Sequence, residues 1–223
     1  MNENFRAARE EGAKSSLRFC LAPISPVNES CGTGIFNDHL LHYCSINNTT
    51  TYFFRLPDGN LDGKGHESTC FQSLSKLRSA QTDTITAVDH SATYQTWQDF
   101  VATLESIIRF EIGDGTNNWI HYLNPDLIIN PNDHPDHIAT GAALQQMGTL
   151  SKLHQLLFVG YSSCNNAGQL SPPDFFRKTG MFAAYEKAVY DACGYSTLAE
   201  NAELYARWCY SKASFAEVRC ANT

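Results

Sequence analysis

The chain has 223 residues, 43% of them hydrophobic and 17% charged, which suits one domain with a real core, residues 1–223, better than two independent ones. Sixteen Lys and Arg against 23 Asp and Glu give a net charge of −7 and a pI near 5.5, which excludes a surface built to hold phosphate backbones or anionic lipid. No stretch reaches the roughly 20 apolar residues that span a bilayer, so neither nucleic acid nor a transmembrane segment is expected.

Residues 4–15 are good helix formers and predict a helix; Leu17 to Ala22 predicts a short strand stopped by Pro23 and Pro26. A long polar excursion follows to about Asn48, in which Asp38, His39 and His42 read as solvated loop residues. Thr50 to Leu56 is β-branched and aromatic and ends at the turn residues Pro57, Asp58, Gly59 and Asn60. Phe71 to Leu77 predicts a helix and Thr84 to Val88 a strand. From Tyr94 onward Trp97, Phe100, Val101, Leu104, Ile107 and Ile108 recur at helical spacing. Leu127 to Ile129 is an apolar run too short for a helix and predicts a buried parallel strand, with a helix starting near His134. Gln155 to Tyr161 predicts a second buried strand, and helices are expected over Phe176 to Ala192 and Leu198 to Ser211. Strands alternating with helices imply an α/β fold: a mostly parallel sheet flanked by helices on both faces, Rossmann-like, in a single domain.

Met1 opens onto Asn2, Glu3, Asn4, Phe5 and Arg6, with no apolar leader of signal-peptide type. The composition is nevertheless that of an exported protein, with few charges, 12% aromatics and eight cysteines. Sequons for N-glycosylation stand at Asn28, Asn47 and Asn48. A secreted location is the expectation, with a cytoplasmic chain of partly buried thiols as the alternative. Eight cysteines allow many pairings; Cys20 with Cys44 and Cys193 with Cys209 are two spacings compatible with bridges or with free thiols.

The stretch richest in chemistry follows Ile129: Asn130, Pro131, Asn132, Asp133, His134, Pro135, Asp136, His137, Ile138, Ala139, Thr140, Gly141. Pro135 suits a first helical turn, so the polar groups sit where a strand end passes into a helix, the edge at which α/β folds collect ligands. His134 and His137 are three apart across that start and can share one cavity, with Asp136 or Asp133 as carboxylate partners. One imidazole can coordinate a divalent metal while the other, held protonated, stabilises an oxyanion. The competing reading is a helix cap that faces water.

The run D-H-P-D-H-I-A-T-G over Asp133 to Gly141 resembles the late metal-binding motif of the PIG-L/LmbE-like N-deacetylases. Arg9 to Ala13 resembles that family's early helix, Leu56 to Asn60 its middle turn, and Phe182 to Tyr190 its late helix. The resemblance implies an LmbE-like α/β fold and a hydrolase that uses Zn2+ or another divalent metal to remove acetyl from an N-acetylated amino sugar or conjugate. It assigns His137 to the metal, His134 to the oxyanion, Asp136 to orienting His134, and Arg9 and Asp58 to substrate contact. The family also places a His-Pro-Asp-Asp motif after its first strand, which supplies two further ligands and the general base. Nothing like it precedes Arg9 here, so the chain is expected to begin after that motif and to bind metal weakly or not at all. The alternative function is a catalytically silent, exported glycan-binding or scaffold module.

Overall fold

The computed structural model describes residues 3–113, 115, 117–165, 170–210 and 217–218. They divide into two compact units: residues 3–34 with 41–55, 164–165 and 170–210, and residues 35–40 with 56–113, 115, 117–163 and 217–218.

In the first unit helix α1 (Glu3–Leu21) runs through the segment expected as a strand. No breaker intervenes before Pro23, and Arg18 in the last turn pairs with both Glu11 and Glu29, so Leu17 to Leu21 stay helical. α1 packs antiparallel on α5 (Pro172–Cys193): Phe5 meets Tyr195 just past the end of α5, Arg9 donates to the Tyr185 hydroxyl at 3.1 Å, and Ser16 donates to the Met181 carbonyl at 2.9 Å. α5 opens on Ser171 and Pro172 and closes on Gly194 at φ 70°, the cap chemistry such a helix needs. A short link leads to α6 (Thr197–Tyr210).

The polar excursion is not a loop. It forms strands β1 (Glu29–Phe36) and β2 (His39–Ile46), and β3 (Thr49–Phe53) pairs antiparallel with β2. Asn37 and Asp38, at φ 48° and 64°, form the two-residue β1–β2 turn that matches strand twist. Leu41 and Ile46 are buried, and a disulfide ties Cys31 on β1 to Cys44 on β2. Cys20 and Cys193 are free; the side chain of Cys209 lies outside the described residues.

In the second unit α2 (Leu74–Arg78) starts three residues later than expected. Cys70 and Phe71 hold positive φ, and Ser73 supplies the cap, accepting from the Lys76 N–H at 3.2 Å. β4 (Ile85–Thr86) and β5 (Thr93–Tyr94) pair antiparallel, and α3 (Trp97–Ile112) follows where the periodicity puts it, capped by Thr96, with Trp97, Phe100, Val101 and Ile107 buried. β6 (Trp119–Leu123) runs parallel to β7 (His154–Phe158), and β8 (Glu217–Val218) joins β7 antiparallel. α4 (Pro135–Gln145) packs on β6, with Ile138, Ala139, Ala142 and Ala143 buried.

The expected mostly parallel sheet flanked by helices is therefore incorrect. The strands form two small antiparallel sheets and one three-stranded sheet in which β6 and β7 alone run parallel. Leu127 to Ile129 is a turn, with Ile128 90% exposed. Asp126 causes this: its side chain accepts the Ile128 N–H at 2.8 Å and its carbonyl accepts the N–H groups of Ile129 and Asn130, winding the apolar run before it can extend.

No helix among the described residues is long and apolar enough to cross a membrane.

Gly141 lets α4 reach β6, because a Cβ there would overlap the Leu123 carbonyl. Gly141→Ala should destabilise the protein by about 1–3 kcal/mol in urea denaturation, despite the roughly 1 kcal/mol that alanine gains over glycine within a helix. An unchanged or raised midpoint would show that α4 does not sit against that carbonyl.

Candidate functional site

The second unit brings together four of the five residues that sequence reasoning singled out: Asp58, His134, Asp136 and His137. The fifth, Arg9, belongs to the first unit, where its guanidinium also lies over the Phe5 ring. The residues of the motif collect at the carboxyl ends of β6 and β7, the two parallel strands. Asn124, just past β6, donates its N–H to the Phe158 carbonyl at 2.7 Å, and Gly160 and Tyr161 follow β7 directly.

Asp133 organises the cluster. Its side chain is fully buried, and Oδ1 accepts from the backbone N–H groups of His134 (2.8 Å) and Tyr161 (3.1 Å) and meets His137 Nδ1 at 2.9 Å. Oδ2 accepts from Asn130 Nδ2 at 2.7 Å. Asn130, itself fully buried, accepts in turn from the Gly160 N–H and the Ser162 hydroxyl, both at 3.1 Å. Position 160 must be glycine, since a Cβ there would run into the Asp133 carboxylate. Burial alone would raise the Asp133 pKa, but the donors from His137, Tyr161, Asn130 and His134 outweigh it and hold the group at about 2.

His134 is the cap of α4, and its Nδ1 accepts the Asp136 N–H at 3.1 Å. Its Nε2 faces Asp58 Oδ1 at 3.7 Å, too long for a direct hydrogen bond and close enough for ionic attraction. The His134 pKa is raised, chiefly by Asp58, then by the negative charges of Asp136, Asp58 and Asp133, against burial, which lowers it. The N–H donated to Nδ1 pulls the same way as burial, but three carboxylates outweigh one 3.1 Å contact.

Asp136, assigned by resemblance to orienting His134, touches it through the backbone N–H. Its carboxylate binds elsewhere: Oδ2 accepts from the Gly59 N–H at 2.8 Å and Oδ1 from the Ser75 N–H at 3.0 Å, pinning the turn after β3 and the start of α2 to α4. Asp58 in that turn also accepts the Asn60 N–H at 2.7 Å.

The imidazoles converge, with ring centroids 5.2 Å apart, and the Tyr161 ring stands edge-on to both. Each is anchored through Nδ1, but to opposite partners. Asp133 is an acceptor, so neutral His137 carries its hydrogen on Nδ1 and offers a lone pair at Nε2. The Asp136 N–H is a donor, so neutral His134 offers a hydrogen at Nε2. One ring thus presents an acceptor and the other a donor. His137 is the more open, its side chain 37% exposed against 10% for His134.

Sequence reasoning missed Asn130 and Tyr161 and left Asp133 as an alternative; the one local signal was the Asn-Pro-Asn-Asp run preceding the motif. It also misplaced His39, which is not solvated: its Nε2 meets Asp99 Oδ1 at 2.8 Å and its ring lies 4.5 Å from that of Tyr94. His42 lines a cavity of about 420 Å³ in the first unit, beside Glu10, Lys14, Arg55 and the disulfide. The chain matched no protein-family model, no curated protein and no solved structure.

Two predictions follow from the charges. The Asp133 pKa is lower folded than unfolded, so its contribution of about 2 kcal/mol is complete above about pH 4 and disappears as the pH falls through about 2. Asp133→Asn should lose at least that amount at pH 7 in urea denaturation, with the gap to wild type narrowing on acidification. For His134 the folded pKa is raised, so its contribution is present below about pH 6.5 and lost as the pH rises through the folded value. In Asp58→Asn the His134 ring should titrate at lower pH by NMR; an unmoved titration would remove Asp58 as the main cause.

Proposed function

We propose that the chain carries the histidine half of a metal-dependent amide hydrolase site, acting on an N-acetylated amino sugar or its conjugate. The observation that carries this reading is the pair of oppositely anchored imidazoles, their ring centroids 5.2 Å apart, one offering Nε2–H and the other an Nε2 lone pair. The resemblance of Asp133 to Gly141 to the N-deacetylase motif supports the substrate class.

His137 fits a metal ligand. A ligating histidine characteristically hands its other ring N–H to a carboxylate, and buried Asp133 takes that role at 2.9 Å. Asp58, His134 and Asp136 also offer donor atoms within 4.8 Å of one another, but both Asp136 oxygens and His134 Nδ1 are occupied by backbone N–H groups. His137 Nε2 is thus the prepared donor, and a catalytic zinc usually takes three, so weak metal binding is expected. A divalent cation held there supplies Lewis-acid polarisation of the amide carbonyl. His134 keeps its proton at Nε2 with the help of Asp58 and donates it as a hydrogen bond to the oxygen that gains charge during attack. Asp136 fixes the His134 ring plane through its N–H, while its carboxylate keeps Asp58 in place through Gly59.

The second reading, a silent module that binds an N-acetyl glycan without cleaving it, is favoured by that single prepared metal donor. A zinc titration followed by NMR, with acetate release from an N-acetylglucosamine derivative at saturating zinc, decides between them. The hydrolase reading expects the His137 ring signals to move with zinc, Asp133→Asn to weaken zinc binding about 10- to 100-fold, and His134→Ala to cost about 100-fold or more in turnover. Glycan binding without acetate release establishes the silent module. His137 signals indifferent to zinc would overturn the metal role.

A further inference from the structure

We infer that Asn28 and Asn48, and not Asn47, are acceptors for an N-linked glycan on the folded protein. Three sequons occupy one corner of the first unit: Asn28-Glu29-Ser30, Asn47-Asn48-Thr49 and Asn48-Thr49-Thr50. The last two overlap, and sequence does not rank them.

The β2–β3 turn does. Asn47 sits at φ 55°, a conformation asparagine tolerates better than most residues, and its side chain clasps the segment preceding β1. Its Oδ1 accepts the Asn28 N–H at 2.8 Å, its Nδ2 donates to the Ser25 hydroxyl at 2.9 Å, and its own N–H donates to the Asn28 carbonyl at 2.9 Å. With the oxygen held by Asn28 and the nitrogen against Ser25, the amide plane is fixed, and a sugar on Asn47 Nδ2 leaves one N–H and brings its bulk up against the Ser25 and Asn28 contacts that form the clasp. Asn48, next in the turn, is exposed and its amide makes no hydrogen bond among the described residues; the same is true of the Asn28 side chain, whose part in the clasp is purely backbone.

The modification transfers an oligosaccharide from a lipid-diphosphate donor. A bond forms between sugar C1 and Asn Nδ2, the C1–oxygen bond to the diphosphate breaks, and one Nδ2 hydrogen leaves as a proton. Transfer meets the emerging chain, and the fold then selects the modified chains that can complete it, which favours glycans at exposed positions. The Cys31–Cys44 disulfide in the same unit independently suits the oxidising compartment in which this transfer takes place.

The test is secretion of the full chain, carrying an added leader, from eukaryotic cells, so that its outcome does not depend on the native route of export. Secreted wild type should carry two glycans removable by an N-glycosidase. Asn47→Gln should keep both. Asn48→Gln, which leaves the sequon Asn47-Gln-Thr49 intact, should keep one, and Asn28→Gln should keep one. Enzymatic release in heavy-oxygen water, followed by peptide mass mapping of wild type, reads the sites without any variant and should label positions 28 and 48 only. A label at Asn47, two glycans on Asn48→Gln, or secreted wild type untouched by the glycosidase would each overturn the assignment.

Discussion

The candidate site depends on one buried charge. The Asp133 side chain is fully buried, and a carboxylate in that position is tolerated only when its lone pairs are filled. Four donors fill them: two backbone N–H groups, one amide and one imidazole. Each comes from a segment that must be correctly placed for the bond to form, so satisfying the charge fixes the loop after β6, the chain leaving β7 and the first turn of α4 at once. The orientation of His137 is a by-product of that electrostatic necessity.

This arrangement gives the two imidazoles different characters without any difference in residue type. Identical rings three residues apart become a hydrogen-bond donor and an acceptor because one is tethered to a carboxylate and the other to a peptide N–H. The donor ring suits an oxygen that gains charge and the acceptor ring a cation, so the proposed reading rests on the tethering and not on the presence of histidines alone. Even two parallel strands suffice to place such a pair, since both loops that support it leave from the same edge of the sheet.

The helices were the most legible part of the chain, because their signals are local. Trp97 to Ile108 repeats at helical spacing, and Pro135 marks a first turn. The parallel sheet is not legible from the apolar triplet, because Asp126 redirects Leu127 to Ile129 through hydrogen bonds that no hydrophobicity pattern displays. The β1–β2 hairpin is hidden for the converse reason: its strands are polar, and its turn uses Asn37-Asp38 in place of the more recognisable Asn-Gly. Within the site, His134, Asp136 and His137 were visible as a motif. Asn130 and Tyr161 were not, since their roles exist only once chain segments about 30 residues apart meet around Asp133.

Asp136 bears on which sequences this fold tolerates. Both of its oxygens serve peptide groups, one from Gly59 and one from Ser75, so the position needs two acceptors at the end of a short stem. Asparagine supplies one acceptor and turns a nitrogen toward an existing donor; glutamate carries the same oxygens a methylene too far. Position 136 accordingly calls for aspartate for reasons of architecture, whether or not the neighbouring histidines carry out any chemistry.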